Sequence, residues 1–161
     1  MGTEIERKFL VTSDDWRAEA RAGAFYRQGY LSSVESCSIR VRVSDKRAFL
    51  NIKSATLSVT RTEYEYPLPL EDAREILDHL CAGPLIEKTR YFVPHGGFEW
   101  EVDVFEGDNQ GLVVAEIELE SADQAFDKPA WVGNEVSEDA RYYNVCLTKH
   151  PFKDWPGDDK R

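Results

Sequence analysis

The stretch Glu4-Ile5-Glu6-Arg7-Lys8-Phe9 decides how this chain folds. Its first, third and fifth residues are charged, whereas the second and sixth are apolar. Because successive side chains of a β-strand point to opposite faces, this pattern predicts a strand with one charged face and one apolar face. One such strand would be an ordinary half-buried strand with its polar side in water.

The same alternation recurs in later segments, and the sign of the charge differs between them. Cations are concentrated on some predicted strands and carboxylates on others. A strand face that is only exposed to solvent would not require this separation of charge. The charged faces are therefore expected to serve a common purpose. The recurring segments are Ile39-Arg40-Val41-Arg42-Val43, Glu63-Tyr64-Glu65-Tyr66, Lys88-Thr89-Arg90-Tyr91, Trp100-Glu101-Val102-Asp103-Val104 and Ala115-Glu116-Ile117-Glu118-Leu119.

Length and composition limit the class of protein. A chain of 161 residues is long enough for one domain with a sizeable core, which we place at residues 1–150, followed by an irregular tail over 151–161. The net charge of −10 argues against general nucleic-acid binding. Three widely spaced cysteines favour a reducing, cytoplasmic setting. We see no signal peptide and no apolar run for a membrane span, so no membrane partner is expected.

Eight strands are predicted, separated by turn signals and by gaps short enough to favour antiparallel neighbours. They lie near residues 3–11, 26–32, 37–44, 47–55, 61–68, 85–94, 98–106 and 112–120. Helices are expected from Ser13 or Asp14 to about Arg21, after Leu70, over 122–127 and over 139–149. Among the tryptophans, we expect Trp16 to anchor the first helix, Trp100 and Trp131 to pack, and Trp155 to be exposed.

Two arrangements of these strands are open. The charges can face water around an apolar interior, which is the commoner architecture, or the sheet can close with the charges inside. Closure removes the sheet edges, and eight strands leave a lumen wide enough for side chains or a small ligand. The selection of charge by strand favours the second arrangement. We therefore predict a mainly β (α+β) fold, an eight-stranded antiparallel barrel with a charged lumen and an apolar exterior covered by a few helices.

A lumen of this composition suits a triphosphate. Clustered arginines and lysines match a polyanion with several phosphates, since arginine offers planar bidentate donors and lysine a compact point charge. Clustered carboxylates match Mg²⁺ or Mn²⁺, which prefer oxygen ligands. Phosphoryl transfer uses both, because positive charge must meet the nonbridging oxygens while a metal neutralises developing charge.

At this point the residues resemble a known family. Glu4-Ile5-Glu6-Arg7-Lys8 resembles the ExExK signature of the CYTH superfamily, the triphosphate tunnel metalloenzymes. The resemblance runs over roughly residues 3 to 149, with the motifs in order along the strands. The further matching segments are Arg40-Val41-Arg42, Ile52-Lys53, Glu63-Tyr64-Glu65, Lys88-Thr89-Arg90-Tyr91, Asp103, Glu116-Ile117-Glu118, Gly133-Asn134-Glu135-Val136 and Arg141-Tyr142-Tyr143-Asn144.

The resemblance implies an eight-stranded tunnel with a divalent-metal-dependent activity on triphosphates. The compact chain, which begins almost directly at ExExK without an appended domain, is similar to short bacterial tripolyphosphatases. The expected reaction is attack of water on the terminal phosphorus of inorganic tripolyphosphate or a related small triphosphate. A class IV adenylate cyclase, a thiamine triphosphatase and a non-catalytic polyphosphate- or nucleotide-binding module remain alternatives. The expected partner is this small molecule, and a homodimer stays open.

By the same resemblance, each charged position receives a role. The expected metal ligands for Mg²⁺ or Mn²⁺ are Glu4, Glu6, Asp103, Glu116 and Glu118. The expected phosphate-binding residues are Lys8, Arg40, Arg42, Lys53, Lys88 and Arg90. The catalytic set is Lys8, Glu4, Glu6, Arg40 and Lys53, with Glu63 and Glu65 as supporting residues.

Some assignments stay open. The general base is expected within the group of Glu4, Glu6, Glu116 and Glu118. Arg141 and Lys149 are the candidates for a basic residue that reaches the tunnel from the C-terminal region. Arg61 shares the strand face of Glu63 and is a candidate for the lumen, whereas Arg7 has the outward parity of its strand.

Overall fold

Nine strands and two α-helices make up the regular part of the computed structural model, which describes residues 2–56 and 58–160. The alternating segments form extended strands because their β-branched and aromatic residues pack on one pleated face. The strands are β1 (Gly2–Val11), β2 (Ala24–Ser33), β3 (Cys37–Val43), β4 (Ala48–Ser54), β5 (Thr60–Leu68), β6 (Ala82–His95), β7 (Phe98–Phe105), β8 (Val113–Glu118) and β9 (Val132–Glu135). The helices are α1 (Leu70–His79) and α2 (Asn144–Leu147).

The sheet closes on itself through β1. This strand pairs antiparallel with β5 at one end and with β8 along its length, so the ring runs β1-β5-β4-β3-β2-β6-β7-β8 and back to β1. β9 lies outside the ring and pairs with β1 at Phe9 and Val11. The predicted eight-stranded antiparallel barrel is confirmed, and the ninth strand overlaps the segment Gly133-Asn134-Glu135-Val136 of the family resemblance.

The apolar faces of the strands point outward and are covered from two sides. On one side, Trp100 is fully buried and packs edge-on against Phe9, Phe126 and Trp131, with ring centroids 5.6, 5.7 and 5.9 Å away. On the other side, α1 packs Ala73 and Leu77 against β3 and β4. Burial of each large apolar side chain contributes about 1.5–3 kcal/mol, so the covering segments stabilise a barrel whose interior is left to charges.

One end of the lumen is closed by apolar side chains. Along the ring strands, the lumen-facing charges give way to apolar residues two positions further on, as from Lys8 to Leu10 on β1 and from Asp103 to Phe105 on β7. The C-terminal segment completes this apolar plug. The plug consists of Leu10, Ile86, Phe105, Leu112, Val114, Val136, Tyr142, Leu147, Phe152 and Trp155.

The C-terminal tail holds two short 3-10 turns, Phe152–Asp154 and Gly157–Asp159. The expectation that Trp155 is exposed is wrong, because only 3% of this residue is accessible. Its ring packs on Tyr142 and Phe152, and its indole N–H donates to the carbonyl of His150 at 3.1 Å. The tail therefore contributes to closing the barrel.

The helix predicted over 122–127 is absent, and the segment is a turn followed by extended chain. The Ser121 hydroxyl donates to Asp123 Oδ1 at 2.8 Å, and the backbone N–H of Glu120 donates to Gln124 Oε1 at 2.7 Å. Such local side-chain bonds compete with helical ones. The helix predicted from Ser13 or Asp14 shortens to a 3-10 turn at Asp15–Ala18, which does bury Trp16 as expected.

The helix predicted over 139–149 is interrupted. A 3-10 turn at Ala140–Tyr142 and α2 are separated by Tyr143, whose backbone is extended (φ −73°, ψ 135°) and whose hydroxyl donates to the carbonyl of Ser137 at 2.7 Å. Across residues 2–56 and 58–160, none of the helices has the length and apolar character that crossing a bilayer requires.

Candidate active site

The barrel encloses a polar cavity of about 270 Å³. Charges of both signs from seven of the eight ring strands converge there, because strand parity turns every second residue inward. Twelve of the thirteen residues predicted from the sequence line it, and Asp103 is the exception. The twelve are Glu4, Glu6, Lys8, Arg40, Arg42, Lys53, Glu63, Glu65, Lys88, Arg90, Glu116 and Glu118.

The two arginines of β3 are poorly compensated. Arg40 is 6% exposed and its Nε has no hydrogen-bond partner. Within residues 2–56 and 58–160 no carboxylate forms an ion pair with Arg40, which instead faces the Tyr30 hydroxyl. Arg42 has only a loose pair, 3.6 Å from Glu65, and burial together with the charges of Arg40 and Arg90 lowers its pKa. This wall of the cavity carries positive charge without a matching anion.

The cations of β6 are, in contrast, closely paired, and one carboxylate binds both of them. Asp103 is inaccessible to solvent and accepts hydrogen bonds from Lys88 Nζ at 2.7 Å and from Arg90 Nε and Nη2 at 2.8 Å each. Although burial opposes ionisation, Arg90 and Lys88 lower the pKa of Asp103. Both of its oxygens are occupied by these two cations, and Asp103 lies behind the residues that line the cavity.

A second set of ion pairs lies where β1 meets β5. Lys53 Nζ donates to Glu4 at 3.0 Å, and Arg61 Nη2 donates to Glu6 at 3.2 Å. Burial works against the charge of Arg61, but Glu6 and Glu4 raise its pKa above the usual range. Arg61 therefore does enter the lumen, as its strand parity suggested.

Deeper in the cavity, Lys8 and Glu116 lie opposite each other on β1 and β8. Lys8 Nζ is 3.3 Å from Glu116 Oε1 and donates to the carbonyl of Tyr142 at 3.1 Å. Despite burial, Lys8 and then Arg90 hold the pKa of Glu116 well below its usual range. Glu116 is thus an ionised carboxylate in the middle of the cavity.

With this geometry established, similarity to known proteins becomes informative. The CYTH domain family model matches residues 2–148 of the chain. The chain belongs to the CYTH domain family. Glu4 to Lys8, at the start of that match, is the segment that decided the fold.

Two relatives are similar to this chain over nearly their whole length. An inorganic triphosphatase of Acetivibrio thermocellus is 47% identical over 155 residues, covering 96% of this chain and 99% of the relative. An inorganic triphosphatase of Nitrosomonas europaea is 40% identical over 151 residues, covering 90% and 96%. A solved structure of an inorganic triphosphatase superposes with a TM-score of 0.66 at 36% identity, covering 98% of this chain and 99% of that one.

Four carboxylates of this CYTH protein repel one another in a way that a cation would relieve. Glu6 and Glu118 are opposite each other on β1 and β8. Burial and then the charge of Glu116 raise the pKa of Glu6, while burial and then Glu4 and Glu6 raise the pKa of Glu118. Hard oxygen donors carrying excess negative charge fit Mg²⁺ or Mn²⁺. In the part of the chain that the structure describes, no three such groups already converge around one point, and Lys8, Lys53 and Arg61 form ion pairs with Glu116, Glu4 and Glu6.

Several cavity residues of the CYTH domain were not assigned from the sequence. Glu101 lines the cavity 2.5 Å from Arg90, and burial raises its pKa to about 7. Tyr30 and Tyr143 also line it, with Lys8 Nζ 5.5 Å from the centroid of the Tyr143 ring. Strand parity was a signal for Glu101 and Tyr30, whereas nothing in the pattern placed Tyr143.

The C-terminal basic candidates do not reach this cavity. Arg141 is held outside by ion pairs with Asp139 at 2.7 Å and Asp159 at 3.1 Å. Lys149 lines a separate small groove beside Ser32 and Thr148. The C-terminal contribution to the main cavity comes instead from Tyr143, Asn144 and Val145.

Proposed function

We propose that the protein hydrolyses inorganic tripolyphosphate or a related small triphosphate with the help of a divalent cation. The observation that carries this function is the uncompensated Arg40, a buried guanidinium that lines an enclosed cavity without an anionic partner in the described residues. A buried charge without a partner is costly, so the site is built for an anion that comes from outside. The names of the two relatives, both inorganic triphosphatases, support the same substrate class.

The phosphate chain is bound by cations spread along the cavity. Arg40 and Arg42 supply planar guanidinium forks, and Lys8, Lys53, Lys88 and Arg90 supply further positive charge around them. Asp103 fixes Lys88 and Arg90 so that they point into the lumen without reorganisation. Preorganised positive charge of this kind stabilises the charge that develops on the transferring phosphoryl group.

The carboxylates Glu4, Glu6, Glu116 and Glu118 would hold the cation, Mg²⁺ or Mn²⁺. When bound there, it neutralises charge on the phosphate oxygens and makes water more acidic. Among the four carboxylates, Glu6 and Glu118 are better suited than Glu116 to accept the proton of the attacking water, since their pKa values are raised whereas that of Glu116 is lowered. Lys8 remains a candidate for stabilising the attacking or leaving oxygen.

A substrate panel tests this function. Purified protein is incubated with tripolyphosphate, pyrophosphate, ATP and thiamine triphosphate, each with Mg²⁺ or Mn²⁺, while phosphate and cyclic AMP are measured. We expect phosphate release to be fastest from tripolyphosphate, because three linked phosphates can engage cations along the lumen while the terminal one lies among the carboxylates. Cyclic AMP formed from ATP without free phosphate would instead identify a cyclase, and binding without turnover a sensor.

The setting of the reaction follows from the same chemistry. The partner is the small-molecule substrate, and a cytoplasmic location agrees with three cysteines that are all free thiols. The match of the family model to residues 2–148 supports one tunnel domain followed by a short tail.

A further inference from the structure

Asn51 is a neutral side chain surrounded by charged ones, and none of it is exposed to solvent. On β4 it lies opposite Arg40 of β3 and opposite Glu65 of β5. Its single amide nitrogen donates two hydrogen bonds, to Glu63 Oε1 at 3.1 Å and to Glu65 Oε2 at 2.7 Å. One planar amide therefore holds two carboxylates side by side.

The same two oxygen atoms face the cations of the cavity. Glu65 Oε2 is 3.6 Å from Arg42 Nη2, and Glu63 Oε1 is 3.7 Å from Lys53 Nζ. Charge-assisted hydrogen bonds are shorter, about 2.7–2.9 Å, so both cations are only loosely paired with these carboxylates. With these oxygens bound to the Asn51 amide, Arg42 has only a loose ion pair and Arg40 has no ion pair among the described residues.

We propose that Asn51 is a positioning residue that reserves the β3 arginines for the substrate by tying Glu63 and Glu65 to its amide. This role rests on the proposed function, since it matters only where a phosphate chain binds Arg40 and Arg42. Without the amide donors, the two carboxylates would turn toward the nearest cations and compete with phosphate for them.

The unpartnered oxygen of Asn51 supports a role in binding over a role in stability. Its Oδ1 is buried without a hydrogen-bond partner, and an unsatisfied buried acceptor destabilises the fold. A residue selected only for packing at this position would not leave an acceptor unsatisfied. The amide is suited to this position for its two donors, which an aspartate or a leucine of similar shape does not offer.

The test is a double-mutant cycle between Asn51 and Glu65, with KM and kcat for tripolyphosphate as the readout. We expect Asn51→Ala to raise KM about tenfold with a much smaller change in kcat, since a hydrogen bond to a charged group contributes enough for a factor of ten or more. In the background of Glu65→Gln, which cannot neutralise Arg42, the same Asn51→Ala change is expected to alter KM less than about threefold. Asn51→Leu keeps the number and branching of the side-chain heavy atoms and gives the same comparison if the alanine variant unfolds.

The outcomes separate the inference from the function on which it rests. An unchanged KM in Asn51→Ala and Asn51→Leu, or an equal rise in KM with and without Glu65→Gln, overturns the role of Asn51 while the wild-type activity stands. A wild-type protein that neither binds nor hydrolyses tripolyphosphate overturns the proposed function itself. Thermal unfolding of each variant shows whether a loss reflects the site or the fold.

Discussion

Two pairs of cations lie on β3 and β6, the two neighbours of β2 in the barrel, and they are held in opposite ways. Lys88 and Arg90 on β6 are fixed by Asp103 at 2.7–2.8 Å, and Arg90 also pairs with Glu101 and Glu116, so their charge is already balanced. Arg40 and Arg42 on β3 have no comparably close carboxylate among the described residues. Similar side chains on nearby strands thus differ in their role. The β6 pair is part of a rigid ion-pair network, whereas the β3 pair is available to bind an anion.

The difference shows why residue type alone does not define a binding site. A buried ion pair is weak evidence for ligand binding, since its charges satisfy each other. A buried cation without a partner calls for a ligand. The comparison therefore separates variants that should damage the fold from variants that should damage only the activity.

The largest loss of stability is expected from a substitution in the ion-pair network of Asp103, Lys88 and Arg90. Asp103→Ala leaves Lys88 and Arg90 buried without their partner, and breaking a buried pair in this way costs about 3–5 kcal/mol of unfolding free energy. Urea denaturation measures this loss. A variant within about 1 kcal/mol of wild type would show that the framework role is wrong.

Among the β3 arginines, Arg40→Ala is expected to lower kcat/KM for tripolyphosphate about 100-fold or more. Loss of a preorganised hydrogen-bond donor that stabilises developing charge has an effect of this size. The melting temperature should hardly fall, because Arg40 has no ion pair to lose. Activity assays and thermal unfolding on one preparation check both parts. Stability loss that matches the activity loss would place Arg40 in the framework instead.

A smaller effect concerns pH. The pKa of Glu101 is raised to about 7, mainly by burial, so the folded state holds an extra proton between the unfolded pKa of 4.5 and about 7. Its contribution to stability therefore falls as pH rises through this window. In EDTA, Glu101→Gln should gain melting temperature relative to wild type at pH 7.5 but not at pH 5. An equal difference at the two pH values contradicts the raised pKa.

The smallest effect is expected outside the barrel. Arg7 lies on β1 next to Lys8 but points outward, where it forms an ion pair with Glu135 and packs its guanidinium over Phe126. Arg7→Ala should lower stability by only about 0.2–1 kcal/mol and leave kcat/KM unchanged. As a cation on the same strand, it is the matched control for the lumen variants, and a large loss of activity here would undermine the inside–outside division.

Much of this arrangement followed from the sequence because strand parity is a strict rule. A period of two places Glu4, Glu6 and Lys8 on one face whatever the neighbouring strands do, and closure then brings such faces together. The same rule placed Arg61 in the lumen. Parity does not predict how far a side chain is from the cavity surface. Asp103 and Glu101 share one strand face, but Glu101 lines the cavity and Asp103 lies behind the lining.

The segments after β8 were harder to predict because their conformation depends on tertiary contacts. The turn at 121–123 is held by side-chain hydrogen bonds that no periodicity reveals. Tyr143 has an extended backbone that interrupts the helical pattern, and its side chain hydrogen-bonds to the carbonyl of Ser137 and lines the cavity. Trp155 is buried because it packs into the apolar plug at one end of the barrel. This contact forms only in the closed barrel, so no local sequence pattern predicts it.

The central claim is that the β3 arginines are kept without a close carboxylate so that they can bind a phosphate chain. A crystal structure of the protein with tripolyphosphate tests it most directly. We expect the bound anion inside the lumen, with phosphate oxygens within hydrogen-bond distance of Arg40 and Arg42. Tripolyphosphate bound outside the barrel, or inside it without contact to either arginine, would contradict the claim.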